Sequence, residues 1–188
     1  MSILDLSKNH MYDFHYNYIR KKYPDSQLLF TDTDSLFYHI KSEKDIYEEF
    51  WVDKNLFDNS EYPKSSKYFF NDNKKVIGKF KDEAAGKPIL EFVGLKSKMY
   101  SYKIEDNEYK KAKGVKKLVV KKEIKHSDYL DVLFNNKTMH HQMNTIRSES
   151  HQINSYHLNK ISLSPYDDKI YLLDDAITSY AYGHFKIN

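Results

Sequence analysis

The stretch Gln27-Leu28-Leu29-Phe30-Thr31-Asp32-Thr33-Asp34-Ser35-Leu36-Phe37-Tyr38-His39-Ile40 decides how the rest of the chain is read. Two short apolar and aromatic runs of strand length flank the polar run Thr31-Asp32-Thr33-Asp34, whose residues favour turns. That pattern predicts a β-hairpin. It also places two carboxylates, Asp32 and Asp34, two residues apart near the hairpin tip. In an extended segment residues i and i+2 share a face, with about 6.6 Å between them at ~3.3 Å per residue. Paired carboxylates suit hard divalent cations, which take oxygen ligands. Two-metal phosphoryl chemistry needs more carboxylates than one Asp-Thr-Asp supplies. An ordinary turn with Asx hydrogen bonding would use the same residues. So would a phosphatase of the haloacid dehalogenase type, or a glycosyltransferase holding a metal nucleotide. The phosphatase reading fits poorly: Leu36 stands where those enzymes usually carry Thr or Val, and the run Ser35–Ile40 reads as a returning antiparallel strand.

Upstream, residues 2–22 read as a helix, with Ile3, Leu4, Met11, Phe14 and Tyr18 within one apolar face. Lys21 and Lys22 close its last turn and Pro24 stops it. Downstream, 43–50 reads as a short helix and 53–73 as a polar, turn-rich loop. Strands are expected over 76–80, 89–93, 99–104 and 109–113, with Asp106-Asn107 turning the last pair. A short helix covers 126–134, and strand-like sequence runs from Met139, broken at Ser164-Pro165. The class is α+β.

Composition narrows the field. The 188 residues are 30% charged and 40% hydrophobic, with 17 Tyr and no Cys. Disulfide frameworks, Cys-ligated zinc and thiol nucleophiles are excluded. With no apolar run of ~18 residues, no membrane helix is expected. The start Met1-Ser2-Ile3-Leu4-Asp5 has no basic-then-apolar pattern, so no secretory leader is expected. The net charge of +3 conceals an asymmetry: from Lys74 to Lys125 there are 16 Lys against 7 acids, a local +9. A basic block of that size attracts polyanions if it folds as one surface.

The string Phe30-Thr31-Asp32-Thr33-Asp34-Ser35 resembles the third palm motif of family B DNA polymerases, Tyr-Xaa-Asp-Thr-Asp-Ser, with Phe30 keeping the aromatic and losing the hydroxyl. Lys98-Met99-Tyr100 matches the family's Lys-Xaa-Tyr motif. Lys113-Gly114-Val115-Lys116-Lys117 is similar to the segment leading into the thumb. The phrases at 2–8, 76–83 and 91–100 read like the protein-primed branch found in viruses and in Maverick/Polinton-type elements. The resemblance covers essentially the whole chain. It implies part of a polymerase palm, an antiparallel sheet with helices, over 1–123, and a small thumb over 124–188.

It also implies roles. Asp34 would bind the catalytic metals, two Mg²⁺ in the intact enzyme, with Asp32 tuning the site. Thr33 and Ser35 would shape the hairpin tip, Thr33 beside the nucleotide. Lys98 and Tyr100 would hold the primer terminus, and Lys113, Lys116 and Lys117 would track the duplex backbone. The partners would be primer–template DNA, a dNTP, a terminal protein primer if the branch's priming mode applies, and the N-terminal polymerase portion.

The family's exonuclease domain and its Asp-Xaa-Xaa-Ser-Leu-Tyr-Pro and Lys-Xaa-Xaa-Xaa-Asn-Ser-Xaa-Tyr-Gly motifs are absent from these 188 residues. The isolated chain is therefore expected not to polymerise DNA. The alternative is a non-catalytic remnant that binds DNA without sequence preference. Elsewhere, His140, His141, His151 and His157 read as surface or packing residues, since adjacent histidines on a strand face opposite ways. Asp167-Asp168 and Asp174-Asp175 read as turns, and Trp51 as a core or rim residue. Without the family match, Tyr100 and Tyr102 read as cross-strand packing.

Overall fold

The computed structural model describes residues 2–167, 170–175, 178–181 and 183–187. The chain divides into two compact units, Met1–Ile89 and Leu90–Asn188. Each is mixed α and β, in line with the α+β class.

The first unit opens with a continuous helical segment. α1 (Ser2–Asp13) runs into a π-helical turn (Phe14–Ile19) and then α2 (Arg20–Lys22). The helix was expected, the π turn was not. At its end the Arg20 N–H bonds the His15 carbonyl, one residue further back than in an α-helix. The expected apolar face is buried only from Met11 onward. Ile3, Leu4 and Leu6 remain well exposed.

The hairpin follows as β1 (Gln27–Asp32) and β2 (Ser35–His39), antiparallel, with Asp32 opposite Ser35. α3 (Ile46–Val52) starts three residues later than expected because Asp45 caps it, its side chain accepting from the Tyr47 N–H at 3.0 Å. The core gathers Phe14, Ile19, Tyr23 and Phe57, with Leu36, Tyr38, Phe50 and Phe80 packed on it. Phe14 stacks on Phe80 at 3.8 Å and meets Phe57 edge-on at 6.0 Å.

The expected strand at 76–80 is replaced by turns. Only β4 (Phe80–Lys81) is extended, and it pairs in parallel with β3 (Phe57–Asp58). The antiparallel expectation fails at this pair because a long connection, not a tight turn, separates its strands. That connection is tied down by side chains. Asp58 accepts from the N–H groups of Ser60 and Lys75, each at 3.0 Å, and Asn73 Nδ2 donates to the carbonyls of Lys54 and Phe57. Asp82 accepts from the Ala84 and Gly86 N–H groups and from the Tyr62 hydroxyl. Gly86 has φ +82°, and a Cβ there would lie 2.2 Å from the Tyr62 ring, so the position requires glycine.

The second unit is built on a three-stranded meander: β5 (Ile89–Lys96), β6 (Met99–Ile104) and β7 (Asn107–Ala112). Ile104 pairs with Asn107, so the turn is Glu105-Asp106, one residue earlier than expected, with Glu105 at φ +52°. α4 (Lys117–Lys122) escaped the sequence reading because its three lysines mask a one-turn apolar stripe. α5 (His126–Asn135) lies where a helix was expected.

The core joins Val93, Met99 and Ala112 of the sheet to Val119, Ile124, Tyr129 and Val132, and to Met143 and Leu163. The last two come from a long hairpin, β8 (Met139–Glu149) and β9 (Gln152–Leu163). Its far end is exposed at Ile146 and Ile153. A small pair, β10 (Ile170–Leu172) and β11 (Ser179–Ala181), follows. The palm–thumb boundary implied at 123/124 falls inside this unit, in the link between α4 and α5. Among the described residues no helix is long and apolar enough to cross a membrane.

Candidate functional site

The candidate residues fall into two groups, one in each unit. In the first unit the pairing of Asp32 with Ser35 leaves only Thr33 and Asp34 to reverse the chain. The turn is therefore half the length of the polar run. Asp34 does not continue the strand beside Asp32, so the extended same-face spacing does not hold.

Instead the Asp34 N–H bonds the Asp32 carbonyl at 2.7 Å, across Thr33 at φ +60°. That is a γ-turn of the rare, strained hand. A β-branched residue at positive φ is a genuine outlier, and such outliers concentrate at functional sites. Thr33 Oγ1 donates to Asp32 Oδ1 at 3.2 Å, and Ser35 Oγ donates to the Asp32 carbonyl at 3.2 Å. The result fixes Asp32, half-buried, and presents Asp34 on the exposed tip.

The hairpin is seated by its second strand. Tyr38 of β2 meets His15 of the π turn, ring over ring at 5.8 Å and 12°, with Oη 2.8 Å from Nδ1. Burial raises the Tyr38 hydroxyl to about 12. Burial and then the nearby Arg20 charge hold the His15 imidazole below its usual value. A neutral His15 can accept the phenol proton, which suits the short contact.

As ligands, the Asp32 and Asp34 carboxylates are the oxygen donors a hard divalent cation takes. They supply part of a coordination shell. Among the described residues no group of three or more His, Asp or Glu side chains is placed to hold a metal.

In the second unit the meander gathers basic residues at one end. Lys98 sits in the β5–β6 turn at φ +60°, and its carbonyl accepts from the Lys113 N–H at 3.0 Å. Gly114, at φ +85°, turns the chain after Lys113. Lys116 immediately precedes α4 and Lys117 begins it. All four lysines are exposed.

The structure thus brings Lys98 beside Lys113, 15 residues away in sequence. It adds Lys160, whose ammonium donates to the Gly114 carbonyl at 3.0 Å. No sequence signal pointed to Lys160, since the contact spans 46 residues. Tyr100 is buried at 7% exposure. Its ring stacks between Phe92 (6.2 Å) and Tyr102 (6.3 Å), and Tyr102 stacks on Tyr109 across the strands at 4.9 Å. The packing reading of Tyr100 and Tyr102 fits this ladder.

Several of the remaining candidates have local partners. His141 Nδ1 lies 2.7 Å from Ser162 Oγ, and His157 faces Asn144 and Gln142. Asp175 accepts from the N–H and hydroxyl of Thr178. Asp168 lies outside the described residues. Trp51 sits on a rim, with Lys54 Nζ 5.0 Å above its ring and Phe70 edge-on.

No family model, curated protein or solved structure matches the chain.

Proposed function

We propose that the chain is the C-terminal palm-and-thumb part of a family B DNA polymerase of the protein-primed branch. The observation that carries the proposal is the Asp32–Asp34 turn: the motif with the strongest resemblance sits at the tip of a real hairpin, in a strained conformation that presents Asp34. The basic end of the second unit supports it. Lys98, Lys113, Lys116 and Lys117 belong to two motifs separate in sequence, yet Lys98 and Lys113 are adjacent in the fold. Ammonium groups on exposed turns suit phosphate contacts, which position a duplex without reading its sequence.

In the intact enzyme Asp34, with Asp32, would hold divalent cations, and these would supply charge stabilisation and an activated primer 3′-hydroxyl for attack on a dNTP α-phosphate. The chain's own part is to fix Asp32 through Thr33 and Ser35 and to grip the duplex through lysines. The 188 residues lack the motifs that would complete the carboxylate set and bind the dNTP, so the isolated chain is inactive in polymerisation on this reading.

A second reading, a non-catalytic DNA-binding remnant, is favoured by one feature. The basic residues form part of a unit with its own core that needs no carboxylate pair. The genomic DNA upstream of the Met1 codon separates the two. An in-frame or frameshifted Lys-Xaa-Xaa-Xaa-Asn-Ser-Xaa-Tyr-Gly there supports the polymerase. Its absence, with expression of the short chain, supports the remnant.

A further inference from the structure

The long hairpin of the second unit leaves one strand edge without a neighbour. Among the described residues β9 pairs with β8 and with no other strand. In an antiparallel ladder, alternate residues turn their N–H and C=O groups away from the partner strand. The two-residue turn Ser150-His151, both at positive φ, closes the ladder on the pair Glu149–Gln152. Counted from that pair, the outward residues of β9 are Ile153, Ser155, His157, Asn159 and Ile161. Their outward backbone groups bond nothing among the described residues. All five residues are exposed, Ile153 at 78% and Ile161 at 50%.

Exposed edges are usually guarded by charge or proline. β8 carries Arg147 and Glu149 near the tip. β9 has no Lys, Arg, Asp, Glu or Pro from Gln152 to Asn159. Its one fixed charge, the Lys160 ammonium, donates to the Gly114 carbonyl at 3.0 Å. The His157 ring is held toward β8 by Asn144 at 2.6 Å and Gln142 at 3.0 Å, so it leaves the edge clear.

The sequence of β9 matches itself. Set antiparallel to a second β9 about a two-fold axis at His157, Ile153 faces Ile161 of the second copy and Tyr156 faces Leu158. Asn154 faces Lys160 and Ser155 faces Asn159. Apolar side chains meet apolar ones, polar meet polar, and no two like charges are opposed. Moving the axis one residue, to Tyr156, sets Ile153 against Asn159 and Leu158 against Asn154. The same operation on β8 about its midpoint, Asn144, sets His141 against Arg147, Ile146 against Gln142 and Met139 against Glu149. Of these three arrangements, the His157 axis alone pairs like with like.

We propose that the outer edge of β9 docks the same edge of a second copy of this chain, joining two hairpins into a four-stranded antiparallel sheet about a two-fold axis at His157. The outward groups of the five residues then satisfy one another across the axis, as in other strand additions. The contact is isologous, so it closes at two copies. Ordinary stable interfaces bury about 1,600 Å² in total. A nine-residue strand edge buries less, so this dimer assembles and dissociates with concentration.

The proposal stands independently of the polymerase reading, and the full chain tests it. Sedimentation over a range of concentrations is expected to show a reversible monomer–dimer equilibrium. Ser155→Pro removes an outward donor that no bond within the chain uses, and should weaken the dimer by about tenfold or more. Ile153→Lys, at an exposed position, sets a charge against Ile161 of the second copy and should do the same. The chain has no cysteine, so single cysteines report the register. Directly opposed residues of a hydrogen-bonded pair have Cα atoms about 5.5 Å apart, within disulfide reach. His157→Cys should therefore cross-link to its copy on mild oxidation. Ser155→Cys would lie four residues from its copy, roughly 13 Å along the strand, and should not. A chain that stays monomeric, its edge left to a different strand or to none, overturns the proposal. So does a dimer that both edge variants leave intact, or one in which Ser155→Cys cross-links as readily as His157→Cys.

Discussion

The Asp34 N–H and the Asp32 carbonyl are bonded at 2.7 Å across Thr33, so the two carboxylate residues are coupled through the backbone as well as by sequence. The turn holds Thr33 at φ +60°, which costs a non-glycine residue about 1–2 kcal/mol. Thr33→Gly should relieve that strain while adding unfolded-chain entropy, leaving a net gain of up to about 1 kcal/mol. A urea titration checks it. A loss above 1 kcal/mol would show that the Thr33 hydroxyl, not the strain, dominates the turn.

Gly86 makes the opposite prediction. A Cβ at that position meets the Tyr62 ring at 2.2 Å and must also adopt φ +82°. Gly86→Ala should destabilise the first unit by about 2 kcal/mol or more, strain and overpacking combined. Tyr62→Phe, which only removes the hydroxyl held by Asp82, should cost about 1 kcal/mol. Denaturation midpoints of the two variants should therefore fall in that order.

Leu163 is fully buried and joins the base of the long hairpin to the second core. Leu163→Ala should cost about 2–5 kcal/mol through transfer and cavity terms. Ile153→Ala, at an exposed position near the hairpin tip, should change stability by less than about 0.5 kcal/mol. Circular-dichroism melts of both variants provide the comparison.

Acid should weaken the first unit. Burial pushes the Asp58 carboxyl up, but the Lys75 N–H and the Ser60 groups outweigh it and hold it below the usual range. Asp53 behaves alike: burial raises it, while bonds from Lys22 and Tyr18 lower it further. A depressed native value means these groups stabilise the fold above the ordinary carboxylate range, near pH 4. That contribution disappears as pH falls through the depressed values. Asp58→Asn should flatten the acid limb of stability against pH, and an unchanged limb would contradict this account.

Much of the fold was legible because strong local signals wrote it. The hairpin at 27–40, the strand at Met99–Ile104 and the helix from His126 each carry their own periodicity or turn chemistry. The π turn, the parallel pair Phe57–Phe80 and α4 were not legible. The first two depend on aromatic packing between distant residues, and α4's lysines hide its apolar positions. At the candidate site, Asp32, Asp34 and the lysines up to Lys117 could be read from motifs. Lys160 could not, because 46 residues separate it from its Gly114 partner and only the fold unites them.

The central claim, that this chain grips duplex DNA as a palm and thumb, is tested most directly by its affinity for primer–template DNA against salt. Contacts from Lys98, Lys113, Lys116 and Lys117 predict sequence-independent binding with a log–log salt slope of about −3 to −4. The triple variant Lys113→Ala, Lys116→Ala, Lys117→Ala should lose most of that slope. No binding at low salt, or binding that salt does not weaken, would contradict the account.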